Sequence, residues 1–254
     1  MTPLERLEAG MREAARHGRT VLATPGFAAC LHPTSAHPFL SVAVPDGPDR
    51  EDWPAALQAL AATFAAHERA PRIEAFAELR PGLLAAADAA GWRRAMTAPV
   101  MVLDPADLAP APPATGVVRT LDPDDDARLE AALRGQHLAF GGTAGDPGEL
   151  DWLPSLRDGL RRGSVRAVAV DVDGRPVAGA VLQYGGGLAE LAGVWTHPDA
   201  RRRGHARGAC HALLVAAFAD GLELAWLSAA EGALRLYEAL GFVRVGTQVN
   251  LEAP

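Results

Sequence analysis

The chain of 254 residues contains no lysine, so its 24 basic side chains are all arginines with fixed positive charge. It has only two cysteines, Cys30 and Cys210. They match neither a metal-ligand spacing nor a redox pair, and both read as buried small hydrophobes. His205 and His211 stand six apart, on different faces of a helix start and without a carboxylate one turn further on, so no metal is expected. No uninterrupted apolar run is long enough to span a bilayer, and the first 19 residues show an acid-bearing amphipathic pattern instead of a signal core. A cytoplasmic protein with no membrane partner is therefore expected. The formal net charge of -7 argues against a nucleic-acid partner, which would require a basic surface to displace counterions.

Apolar residues make up 49% of the chain, enough for one large core or two small ones. Residues 104–116, DPADLAPAPPATG, are rich in proline and nearly free of apolar periodicity. Proline fixes φ and removes donors, so this stretch reads as a linker between a domain at 1–103 and a domain at 117–254.

The most informative segment is LAGVWTHPDARRRGHARGACHALL, residues 191–214. A strand-like run breaks at His197-Pro198 and enters a helical pattern through an arginine- and glycine-rich bend. Such a bend exposes backbone N–H groups at the positive end of a helix dipole. Gly204 admits close approach of an anion, and Arg201, Arg202, Arg203 and Arg207 add positive charge. The pattern is neither Gly-x-x-x-x-Gly-Lys-Ser/Thr nor Gly-x-Gly-x-x-Gly. Arginine-favouring composition accounts for the charge. It does not account for Gly204 and Ala206 at the helix start.

Arg201-x-x-Gly204-x-Ala206 after Thr196-x-Pro198 resembles the acetyl-coenzyme A loop of the GNAT acyltransferase superfamily, Arg/Gln-x-x-Gly-x-Gly/Ala. The stretch LRLYEALGF, from Leu234 to Phe242, resembles the same family's late helix with its tyrosine and Gly-Phe exit. The resemblance covers residues 115–251 and implies an α/β fold with a mixed sheet. It also implies acetyl-CoA as cosubstrate, with Arg201, Arg202, Arg203, Gly204, His205, Ala206 and Arg207 around the diphosphate. The backbone of Val194, Trp195 and Thr196 would hold the pantetheine arm where two parallel strands splay, often at a bulge. By the same resemblance Tyr237 is the acid that meets the leaving thiolate, and Glu190 is the candidate base. Alternation puts Glu190 on the face of Val194 and Thr196 unless a bulge intervenes, and a solvated strand residue is the competing reading. Glu231 stands where many family members carry an asparagine that binds the cofactor arm. A carboxylate accepts but does not donate, so that contact is remade or lost.

The two halves look related. Gly91-Trp92 follows an alanine-rich helix just as Gly241-Phe242 follows the Tyr237 helix, an offset of 241 − 91 = 150. Ala87 stands where Tyr237 stands, and Arg50-Glu51-Asp52-Trp53-Pro54 replaces the phosphate loop. Tandem GNAT-like domains are expected, the first a degenerate copy without a cofactor site. In the second half the pattern predicts helices over 122–133 (capped by Asp122) and 151–162, then strands over 165–172 and 177–184 joined at Asp173-Gly174. A strand over 188–196, a helix over 206–219, a strand over 223–228 and a closing strand over 243–250 follow.

The implied activity is N-acetyltransfer from acetyl-CoA to a primary amine by direct transfer, since Cys210 falls inside a helix with no assigned base. A non-catalytic acyl-CoA-binding regulatory module is the rival reading, and a longer acyl or aminoacyl donor a third. The acceptor, a small-molecule or peptide amine, would approach the loops of residues 137–152, where Asp146, Glu149 and Asp151 could attract a cation or simply be solvated. Without lysine the chain cannot acetylate its own side-chain amines. A homodimer is compatible with the degenerate half.

Overall fold

The computed structural model describes residues 1–254, which divide into two compact units. The first comprises Met1–Met101, Ser228–Gly232 and Arg244–Pro254, and the second Val102–Leu227 and Ala233–Val243.

In the first unit, helix α1 (Pro3–Arg16) opens on a capping box. The Thr2 hydroxyl accepts the Glu5 N–H at 3.3 Å and the Glu5 carboxylate accepts the Thr2 N–H at 2.6 Å, which satisfies two donors at the helix start. Strands β1 (Thr20–Thr24), β2 (Phe27–Leu31) and β3 (Val42–Pro45) precede helix α2 (Trp53–Ala66), strand β4 (Arg72–Phe76), helix α3 (Pro81–Ala89) and strand β5 (Arg93–Leu103). The strand order is β1-β2-β3-β4, then the closing strand β11 (Val243–Glu252), then β5. Neighbours β1/β2, β2/β3 and β4/β11 are antiparallel, and β3/β4 are parallel.

Chain order assigns the closing strand to the second half, yet from Arg244 onward it belongs to the first unit. The reason is burial. Val249 and Leu251 complete the apolar cluster formed by Phe27, Trp53, Leu60, Phe64, Ile73 and Leu83, and Leu251 is wholly buried there. The boundary between the units also falls inside β5, ahead of the proline-rich stretch. Leu251→Ala should therefore destabilise the first unit, by about 2–5 kcal/mol in urea unfolding. A change within about 0.5 kcal/mol would show that β11 is dispensable there.

The second unit contains strand β6 (Val117–Thr120), helices α4 (Asp126–Ala139) and α5 (Leu153–Arg162), and strands β7 (Val165–Val172), β8 (Arg175–Gly185) and β9 (Leu188–Thr196). Helix α6 (His205–Ala219), strand β10 (Leu224–Ser228) and the short helix α7 (Leu234–Glu238) follow. The strand order is β10-β9-β8-β7-β6, with β10/β9 parallel and the others antiparallel. Asp173 and Gly174 turn the β7/β8 hairpin with φ of 50° and 76°, as a two-residue primed turn requires. Helix α4 starts later than the pattern predicts. Asp122 spends its carboxylate on the Asp124 N–H at 2.9 Å in a local turn, and Asp125 becomes the cap by accepting the Arg128 N–H at 3.1 Å. Leu129 and Ala132 of α4 pack with Ala167, Ala169 and Trp195 on one sheet face.

The element order β3-α2-β4-α3-β5 parallels β9-α6-β10-α7-β11, and Gly91 and Gly241 both take positive φ, 78° and 103°. In the first unit the stretch between β3 and α2 is filled by its own side chains. The Asp49 carboxylate accepts the Trp53 indole N–H at 2.6 Å and the Gly82 N–H at 2.8 Å, and Arg50 is paired with Asp52. Carboxylates there repel an anion. No helix is long and apolar enough to cross a membrane.

Candidate functional site

Strands β9 and β10 run in register for three pairs, ending at Glu190 opposite Trp226, while β9 continues to Thr196. Beyond Glu190 the edge of β9 that faced β10 has left the ladder. On its other side β9 pairs with β8 through Ala192 opposite Val181, then resumes at Trp195 opposite Gly179, a shift of one residue. Gly193 and Val194 form this bulge, and Gly193 has φ of 54°. Both residues are therefore out of register with both neighbours. A strand edge that has left its ladder is where backbone N–H and C=O groups can take a partner from outside the sheet.

The bulge changes the face expected for Glu190. Its partner in β8, Gln183, shares a face with Val181 and Gly179, the partners of Ala192 and Trp195. Glu190 thus shares the α4-covered face with Trp195, and Thr196 lies on the other. The Trp195 side chain is 5% exposed and fills the space over Gly135 and Gly179, where any Cβ would collide with the indole. Only its backbone is offered to a ligand.

After Thr196 the chain makes a short 3₁₀ turn (Pro198–Ala200) and reaches the arginine bend. Arg202 has φ of 64° and Gly204 has φ of 83°. Left-handed residues two apart turn successive N–H groups toward a common side, a concavity suited to an anion. A left-handed arginine costs on the order of 1 kcal/mol or more, strain of the kind stored at ligand sites. No side chain caps α6, and its first turn carries no acid.

The arginines divide into two pairs. Arg201 donates from Nη2 to the Ala139 carbonyl at 2.8 Å, anchoring the bend to the end of α4. Arg207 donates to the Ala239 carbonyl at 2.9 Å, tying α6 to the end of α7. Arg202 and Arg203 are exposed and form no ion pair, so they are the two charges available to a ligand. Ala206 lies in the first turn of α6 without a bulky side chain.

His205 is turned inward. It is buried, and its Nδ1 shares a hydrogen bond with the Thr115 hydroxyl at 3.0 Å, so only its backbone can serve the bend. His211 donates from Nε2 to the Ala109 carbonyl at 3.0 Å, and the Ala109 N–H bonds the Leu240 carbonyl at 3.0 Å. The proline-rich stretch read as a linker is thus fastened along α6 and α7 within the second unit. A Cβ at Gly241 would collide with the Asp107 carbonyl, which explains that glycine twice over.

Tyr237 is 7% exposed and meets Phe242 edge-on at a centroid distance of 6.0 Å. Its hydroxyl has no protein partner. Burial, aided by the nearby Cys210, drives its pKa well above the ordinary phenol value, so the group is a protonated donor at neutral pH. Burial also pushes the Cys210 thiol up to about 12, which leaves no nucleophilic thiolate. Glu231 is exposed at the start of a 3₁₀ turn (Glu231–Ala233).

Two acids of the 137–152 segment, Asp146 and Glu149, are bonded to the loop backbone and to helix α4. Asp146 accepts from the Thr143 N–H at 2.8 Å and lies 2.7 Å from His137 Nε2. Glu149 accepts from Arg134 at 2.9 Å and from the Gly145 N–H at 2.9 Å. These bonds hold both carboxyls below the usual range. They brace the loop and take up about half of the acceptor sites of each carboxylate.

The sequence reading passed over Gln136, on the last turns of α4. A Cβ on Gly193 would lie 3.0 Å from its Nε2, and the amide forms no hydrogen bond within the protein. The available signal was Gly193 itself, a glycine inside a strand pattern that marks a bulge or a close approach.

Residues 131–242 match the acetyltransferase (GNAT) family. A GCN5-related N-acetyltransferase from Kribbella flavida is 27% identical, covers 100% of this chain and 96% of its own, and superposes with a TM-score of 0.80. A tandem GNAT protein from the clavulanic acid biosynthesis pathway, 18% identical, covers 98% and 94% with a TM-score of 0.58. A GCN5-related N-acetyltransferase from Sphaerobacter thermophilus, 16% identical, covers 89% and 76% with a TM-score of 0.63. The latter two share the fold. Among curated proteins no match to the chain is found.

Proposed function

We propose that the chain is an acetyltransferase of the GNAT superfamily, whose family model matches residues 131–242, and that its second unit moves an acetyl group from acetyl-CoA directly to a primary amine. The observation that carries this reading is the left-handed bend at Arg202 and Gly204, which opens onto the uncapped α6 beside the unladdered end of β9. The amides after Arg202 and the free guanidinium groups of Arg202 and Arg203 would hold the diphosphate. Backbone groups of Val194, Trp195 and Thr196 would then take the amides of the pantetheine arm, bringing the thioester to the bulge.

The chemistry needs a neutral amine and a departing thiolate. An alkyl amine with a pKa near ~10 is mostly protonated at neutral pH, so it must first lose a proton. Glu190, at the last rung of the β9/β10 ladder, is the group proposed to receive that proton, directly or through water. The amine then attacks the thioester carbon, the carbon–sulfur bond breaks, and the surplus proton on nitrogen passes to the departing thiolate, giving the amide and free thiol. Tyr237, whose burial makes it a weak acid, stabilises the thiolate by a hydrogen bond more than by full proton transfer. An acyl-enzyme on Cys210 is disfavoured by its sealed, protonated thiol.

Free thiol released from acetyl-CoA, measured across a panel of primary amines and paired with mass detection of the acetylated amine, tests the proposal. Amine-dependent release is expected. Donor binding with no release for any amine class would favour the regulatory acyl-CoA-binding module, to which the Glu231 departure lends some support.

A further inference from the structure

The bulge of β9 against β8 lies just past the last pair of β9 with β10, and it faces a side chain to which the acetyl-CoA reading gives no role. Gly193 and Val194 lie outside the β8 register and beyond the last β10 pair. Helix α4 crosses directly above. Gly135 sits on the Trp195 indole, which brings the helix close, and the next residue, Gln136, presents its amide 3.0 Å from where a Gly193 Cβ would be. The positive φ of Gly193 favours glycine, and the missing side chain leaves room for that amide beside the bulge. Gln136 is only partly exposed, and its amide bonds to no protein group. Its Nε2 is therefore a donor open to a ligand seated at the bulge.

We infer that Gln136 donates a hydrogen bond from Nε2 to the carbonyl oxygen of the acyl thioester and strengthens it as that oxygen becomes the oxyanion. When the amine nitrogen attacks the acyl carbon, the carbonyl π pair moves onto oxygen. When that pair returns, the carbon–sulfur bond breaks and the thiolate departs. A donor fixed in place before the reaction stabilises the middle state without reorganising. Gln136 stands on a helix braced by Leu129, Ala132 and the Arg201–Ala139 bond, so its position is set by packed elements and not by a mobile loop. The amide also suits the role chemically: it stays neutral at all working pH, and a glutamate in its place would repel the oxyanion. This assignment rests on the acetyl-CoA reading above, and it adds a side chain that the arginine bend and the Tyr237 helix do not supply.

The test uses the full chain, acetyl-CoA labelled with ¹³C at the carbonyl, and infrared difference spectra of wild type, Gln136→Leu and Gln136→Asn. In wild type the bound carbonyl stretch should lie below its position in Gln136→Leu, because a hydrogen bond to oxygen weakens the C=O bond. CoA itself should bind all three proteins equally by calorimetry, and thiol release with the best amine should fall about 100-fold in Gln136→Leu. Identical carbonyl bands in wild type and Gln136→Leu, with the donor bound to both, would overturn the assignment and leave the acetyl-CoA reading standing. Failure of wild type to bind acetyl-CoA would remove the premise instead.

Discussion

Gly204→Asp should weaken acetyl-CoA binding at least about 100-fold while leaving the fold intact. Aspartate tolerates the left-handed region better than most residues, and at this position its carboxylate would cap the uncapped N-terminus of α6. Folding stability should therefore change by less than about 1 kcal/mol. Binding is another matter. The new carboxylate would occupy the amides meant for the diphosphate, and two unit charges about 4 Å apart near a protein surface repel by up to about 4 kcal/mol. At 1.4 kcal/mol per tenfold, a fraction of that repulsion gives the stated loss. Gly204→Ala serves as the control. It adds a Cβ in ordinary contact with Thr115 Cγ2 at 3.4 Å and carries no charge, so its loss should be smaller. Calorimetric titration of the three proteins reads the effect. Equal affinity in wild type and Gly204→Asp would place the diphosphate elsewhere.

Tyr237→Phe should lower the turnover rate by about 100-fold or more and leave the dissociation constant for acetyl-CoA unchanged within twofold. The substitution removes one oxygen from a buried ring and preserves the edge-on contact with Phe242. Because the hydroxyl has no protein partner, no buried group is left unsatisfied by its loss. The pH profile gives a second reading. The folded phenol titrates above its ordinary value of about 10, so its proton is retained throughout the neutral and mildly alkaline range. As a donor it imposes no alkaline decline below about pH 10. If the tyrosinate were the active form, rate would instead rise with pH toward that value. A Phe variant with wild-type turnover would remove Tyr237 from the chemistry.

Local chemistry wrote some of this plainly in the sequence. Asp173-Gly174 specified its hairpin because only a few residues accept two successive positive φ angles, and the strand over 188–196 emerged with the same limits. The Arg201-x-x-Gly204-x-Ala206 spacing pointed to the bend through its resemblance to the GNAT cofactor loop. What stayed hidden depends on contacts between distant segments. The placement of β11 in the first unit is decided by the apolar cavity that Val249 and Leu251 fill, and nothing in residues 243–252 states which sheet they complete. The inward turn of His205 depends on Thr115, ninety residues earlier. The face of Glu190 turns on a one-residue shift at Gly193, whose glycine could have been read as a bulge but whose register could not. Asp146 and Glu149 look available in the sequence because their partners, His137 and Arg134, lie well back along the chain on helix α4.

The most direct measurement compares acetyl-CoA with S-acetylpantetheine, which keeps the thioester arm and lacks the diphosphate, in calorimetric titrations of the full chain. Grip at the Arg202–Gly204 bend predicts that acetyl-CoA binds at least about 100-fold more tightly, a difference of roughly 2.7 kcal/mol. Equal affinities, or no heat with acetyl-CoA, would contradict it.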